Sequence, residues 1–171
     1  AKTSTAFIPI CLERVGLKDE ALAFRRKSYL HSKNLGDDSE QALCFAMSLF
    51  MELVDCKKWD EARQMQREFS PRLRRVLGTE DSRVLASRAA GARILYEHPD
   101  ASLEEAREAV TSLEKIARTT ERVLSENDGS IQTIMYTPLL NYVRNDLLKK
   151  ARAKVARLSG ADEQDEVEDA D

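Results

Sequence analysis

The sequence predicts an all-α protein, an α-solenoid of about four antiparallel helix pairs, and three observations predict it. Only six Gly and four Pro occur in 171 residues, too few for a turn-rich sheet protein. Ala, Leu, Glu, Lys and Arg abound instead, the residues that lose least freedom in a helix. The stretch "NLGDDSE" at 34–40 returns as "VLGTEDS" at 76–82, so Gly36 and Gly78 lie 42 positions apart. A small residue, Ala, recurs at 21, 62, 106 and 151, at spacings of 41, 44 and 45. Self-similarity at such a period marks stacked repeat units, each one too small to bury its apolar face alone.

Both markers have a physical meaning. Leu-Gly followed by Asp, Ser or Thr stops one helix and starts the next: Gly takes a positive φ and a polar side chain caps the new first turn. The Ala marker opens the other helix. It follows an acidic pair in three units (Asp19-Glu20, Asp60-Glu61, Glu104-Glu105), and carboxylates complement the positive end of a helix dipole. Ahead of the Ala stands an apolar residue, Leu17, Trp59, Leu103 and then Leu147 or Leu148, expected to fill the corner of a close helix crossing. The units run at about 3–37, 38–80, 81–128 and 129–160.

Taken in order, the first unit holds the helix begun by "KDEALAFRR", with His31 near its end. In the second, residues 39–55 are apolar nearly all round, so this helix must be covered on more than one side. Its partner follows from Trp59, with a kink expected at Pro71. The third unit pairs the Ala- and Gly-rich "LASRAAGARIL" with a helix opened by an S-x-x-E capping box, Ser102 to Glu105. There Ala106, Ala109, Val110, Leu113, Ile116, Ala117, Thr120, Val123 and Leu124 advance by threes and fours as one apolar stripe. In the fourth, Leu147, Leu148, Ala151, Val155 and Leu158 form the stripe of a closing helix. Pro9 and Pro138 should start or kink the helices that hold them. Residues 161–171, "ADEQDEVEDAD", have seven acidic and no basic residues, the pattern of a disordered acidic tail.

Tandem helix pairs with this small-residue pattern resemble the tetratricopeptide-repeat family. The long unit, and "EARQMQREFSPRLRRVLG" at 61–78 in particular, resembles the kinesin-light-chain variety of that repeat. Ala62, Trp59, Met65, Phe69 and Leu77-Gly78 carry the likeness, which spans about residues 3–158. It implies a right-handed superhelix that binds another protein or peptide in the groove of its first helices. In place of the paired Asn with which many such repeats grip a peptide backbone, this chain has Met47-Ser48 and Ala89-Ala90.

Composition narrows the function classes. The net charge of −3 becomes 27 basic against 23 acidic residues once the last eleven are set aside. Arg63, Arg67 and Arg74 give one basic face and Lys149, Lys150 and Lys154 another. The neighbouring Phe24, Phe69 and Trp59 belong to the core pattern, so no stacking platform for nucleic acid is expected. Glu114 is spaced to pair with Arg118. Cys11, Cys44 and Cys56 form no C-x-x-C pair, which points to reduced thiols and a cytoplasmic or other reducing intracellular setting. No run approaches the ~20 apolar residues of a membrane span. His31 and His98 have no nucleophile or ligand at a useful spacing, so no enzyme, cofactor or metal is expected.

The expected role is a protein-interaction scaffold or adaptor. Its contact residues are expected at exposed first-helix positions: Ser48, Glu52, Arg88, Arg93, Asn141 and Arg144. The alternatives are an architectural subunit embedded in a large assembly, or a regulatory repeat domain cut from a larger protein, as a chain starting with Ala rather than Met allows.

Overall fold

The computed structural model describes residues 16–36, 39–126 and 131–168, with side chains of the last helix described to residue 160. Pro9, Cys11 and most of the first predicted unit's opening half lie outside the described residues. Among the described residues every regular element is a helix, and successive helices pack mostly as antiparallel neighbours. They divide into two compact units, Ala1–Gly78 and Thr79–Asp171.

In the first unit, α1 (Lys18–Ser32) leads through a 3-10 turn (Lys33–Leu35) to α2 (Glu40–Asp55) and α3 (Trp59–Leu77). α2 packs against both α1 and α3, which is why its sequence is apolar nearly all round. Leu43, Leu49, Phe50, Leu53 and Val54 of α2 are buried, as are Ala62, Met65, Phe69 and Leu73 of α3. The Phe50 and Phe69 rings meet in a tilted pair, centroids 5.4 Å apart, an arrangement that satisfies the ring quadrupoles. α3 runs through Pro71 as one helix.

The repeat is written in the backbone of the turns. Leu17, just before α1, has φ −86° and ψ 65°; Lys58, just before α3, has φ −85° and ψ 66°. Each follows a residue of positive φ, Gly16 at 83° and Lys57 at 57°. The other turn repeats as well. Gly36 (φ 93°, ψ 131°) and Gly78 (φ 88°, ψ 160°) close their helices, in a region of conformation essentially reserved for glycine. Ser39 then accepts from the Ala42 N–H and Asp81 from the Arg83 N–H, each capping the helix that follows. The third turn departs from the pattern: "HPD" replaces the positive-φ residue, and the Asp100 N–H bonds His98 Nδ1 at 3.2 Å.

In the second unit, α4 (Ser82–Glu97) and α5 (Leu103–Glu126) form a hairpin. The capping box forms as expected, with Ser102 N–H donating to Glu105 Oε2 at 3.0 Å and Glu105 N–H to Ser102 Oγ at 3.1 Å. α6 (Ile131–Tyr142), a π turn (Val143–Leu147) and α7 (Leu148–Glu168) follow without a break. Residues 129–160 were expected to make a fourth helix pair; of these, residues 131–160 make one continuous rod. The reason is chemical: no glycine stands between Ser130 and Ser159 to reverse the chain, and Pro138 removes only one helical hydrogen bond. In the π turn the Leu148 N–H reaches back to the Val143 carbonyl, adding a residue to one turn. Tyr136, Val143, Leu147 and Ala151 thereby share one core with Leu85, Tyr96, Leu113 and Ile116. Helical backbone continues to Glu168, into the segment expected to be disordered; its Ala, Glu and Gln favour helix by propensity alone.

All four marker alanines are 0% exposed. Ala21, Ala62 and Ala106 each donate their N–H to the residue that precedes their helix, Leu17, Lys58 and Ser102, so they are equivalent first-turn positions. Ala151 lies inside the α6–α7 rod and marks no hairpin. The corner-filling role expected of the preceding apolar residue fails at Leu17, which is 43% exposed; Trp59 and Leu103 are half-buried.

Candidate partner-binding surface

The six expected contact residues do not gather in one place. Glu52 was expected to be exposed, and it is buried. α2 is covered by both α1 and α3, and Glu52 faces α1. Its Oε2 accepts from Arg25 Nε of α1 at 2.8 Å, and its Oε1 from the Cys56 thiol at 3.6 Å. Burial, together with the Glu52 charge and that hydrogen bond, pushes the Cys56 thiol above its ordinary pKa, which disfavours the thiolate. Ser48 is half-buried and donates to the Cys44 carbonyl at 2.9 Å, turned back onto its own helix.

On the second unit Arg88 and Arg93 are half-buried. Arg93 Nε pairs with Glu97 one turn on at 3.0 Å. Asn141 and Arg144 are exposed, and Arg144 makes an ion pair with Glu121 of α5. Of the basic positions, Arg67, Arg74, Lys149 and Lys150 are exposed, while Arg63 and Lys154 are half-buried. Lys150 donates to Asp146 at 2.9 Å, and that bond raises its pKa.

The helix packing creates a feature that the sequence reading did not single out. Between α5 and α7 lies an open, largely apolar trough of ≈ 420 Å³, lined by Arg107, Val110, Thr111, Arg152, Val155 and Ala156. Val110 and Val155 form its half-buried floor, and the other four are exposed. Arg152 pairs with Glu114 across the helices at 2.8 Å, so Glu114, expected to pair with Arg118 along its own helix, reaches a neighbouring one. Val110 and Val155 had been assigned to core stripes. The available signal was the polar pair Arg107 and Thr111 flanking Val110, which places that valine at the stripe's edge.

A second apolar surface lies on α6, where Ile134 is 72% and Met135 55% exposed. Among the described residues no group of three or more His, Cys, Asp or Glu is placed to hold a metal ion. No helix is long and apolar enough to cross a membrane. No protein-family model, curated protein or solved structure matches this chain.

Proposed function

We propose that the chain is a non-enzymatic helical-repeat module, of tetratricopeptide type, that binds another protein through its exposed helix faces. The observation that carries this reading is the repeated turn. Leu17 and Lys58 share their backbone angles to within about a degree, each one turn ahead of a buried Ala and an acidic pair. Repeated hairpins offer extended helix faces rather than an enclosed chemical pocket, and recognition of other proteins is their general use. The trough between α5 and α7 supplies an apolar floor between guanidinium groups, the composition typical of an interface core with a polar rim.

The exposed Ile134 and Met135 favour a second reading, that of a subunit embedded in a larger assembly, since adjacent exposed large aliphatics mark covered surfaces. Cross-linking with mass spectrometry on native extract tests both. A scaffold gives cross-links from Lys149, Lys150 or Lys154 to a second protein and purifies alone as a monomer. An embedded subunit co-purifies in fixed stoichiometry. Turnover of a small molecule, lost on changing His31 or His98, would overturn both.

A further inference from the structure

Arg25, Arg26 and Lys27 stand directly before Ser28 in α1. Two guanidiniums three and two residues ahead of a hydroxyl suit a Ser/Thr kinase whose substrate groove is lined with carboxylates, since each guanidinium fork matches a carboxylate. In the folded chain both arginines are occupied. Arg25 Nε donates to Glu52 Oε2 of α2 at 2.8 Å, and Arg26 pairs with Glu61 of α3 at 2.5 Å. Ser28 itself is half-buried within the helix, so a kinase reaches it only when this stretch of α1 opens. α1 is built to open. Of its apolar side chains only Ala21 and Leu22 are buried, and Leu30 is 63% exposed. α2 buries Phe50, Leu53 and Val54, and α3 buries Phe69 and Leu73. Elements with few buried apolar contacts open locally ahead of the rest.

We infer that Ser28 is a phosphorylation site for an arginine-directed Ser/Thr kinase, and that its phosphate holds α1 away from α2. This goes beyond the recognition reading above and does not depend on it. Ser28 Oγ attacks the γ-phosphorus of ATP and forms the new P–O bond. The bond to the bridging oxygen breaks, ADP leaves, and the hydroxyl proton passes to the kinase's catalytic Asp. Ser28 follows Arg25 by three residues, which makes the two neighbours on the helix surface. Its phosphate, with a charge of about −1.5 to −2, then competes with Glu52 for that guanidinium. Glu52 is buried and loses this counter-ion, which disfavours the return of α1 to its seat. The phosphate also stands in the half of α1 that carries the negative end of the helix dipole. A transient opening thereby becomes a populated one, and the side of α2 that Glu52 faces is uncovered.

The test incubates the full chain with the catalytic subunit of cyclic-AMP-dependent protein kinase and Mg-ATP, and mass spectrometry locates the phosphate. Phosphate is expected at Ser28. A free peptide of residues 22–31, "LAFRRKSYLH", is expected to react about a hundredfold faster than the chain, because α1 is rarely open. Glu52→Gln is expected to raise the chain's rate about tenfold. In the chain phosphorylated at Ser28, amide hydrogen exchange through residues 18–32 is expected to quicken about tenfold while α3 keeps its protection. A peptide that is no substrate overturns the site, as does a chain that takes no phosphate at Ser28 with or without Glu52→Gln. Equal rates for chain and peptide, or for Glu52→Gln and wild type, overturn the masking of the site by its ion pairs. Unchanged exchange in α1 after phosphorylation overturns the switch. So does exchange that quickens equally in α3, since the whole unit then unfolds instead of releasing one helix.

Discussion

Arg25 and Glu52 join α1 to α2 with little water around them, their side chains 19% and 7% exposed. Removing one member deprives a largely buried charge of this counter-ion, which costs far more than the pair contributes. Arg25→Met should therefore lower stability by about 3 kcal/mol in urea denaturation, and adding Glu52→Leu should restore most of it. At Asp81 burial pushes the carboxyl upward, but three hydrogen bonds from the Arg83 side chain and backbone and its positive charge outweigh burial and hold the pKa below its ordinary value. A depressed carboxyl stabilises the fold above its unfolded pKa of 3.8, and that contribution drains away as pH falls through the folded value. Thermal melts from pH 6 to pH 2 should fall less steeply below about pH 4 in Asp81→Asn than in the wild type. The caps at Ser39, Asp81 and Ser102 were legible because partner and cap lie within a few residues. Glu52 was not, because its counter-ion stands 27 positions away and periodicity places charged residues outside by default.

Helices, too, were legible where a stop signal ended them and misread where none did. Gly36 and Gly78 announce two turns, and their positive φ with extended ψ fixes the need for glycine. A Cβ at Gly78 would meet nothing within 4 Å, so Gly78→Ala tests backbone strain alone and should cost about 2 kcal/mol by calorimetry. Lys57 takes the same role without being glycine, and Lys57→Gly should stabilise by about 1 kcal/mol. The α6–α7 rod was missed because Ala151 repeats the spacing of the earlier alanines without a reversal before it. A period in sequence locates buried faces, and only a breaker locates a turn. The π turn then does what a hairpin would otherwise have done, bringing the stripes on either side of it onto α5.

At the scale of the molecule, recurring small residues set how closely helices approach within each unit. Ala62 and Ala106, both 0% exposed, leave no room for branching. Ala106→Leu should destabilise by about 1–3 kcal/mol through overpacking, measured by urea denaturation, whereas Ala156→Glu on the open trough should change stability by about 0.5 kcal/mol or less. The contrast separates the covered face of the repeat from the uncovered one. The trough itself could not be read from the sequence, since Val110 and Val155 lie in apolar stripes and only the packing of α7 on α5 leaves them half-buried.

The account stands on that trough being a face that another protein covers. A photo-reactive amino acid installed at Ala156, with Arg118 on an exposed part of α5 as control, tests it in the native cell. The account predicts a discrete adduct with another protein at Ala156, absent at Arg118. Adducts of equal strength at both positions, or none at Ala156, would contradict it.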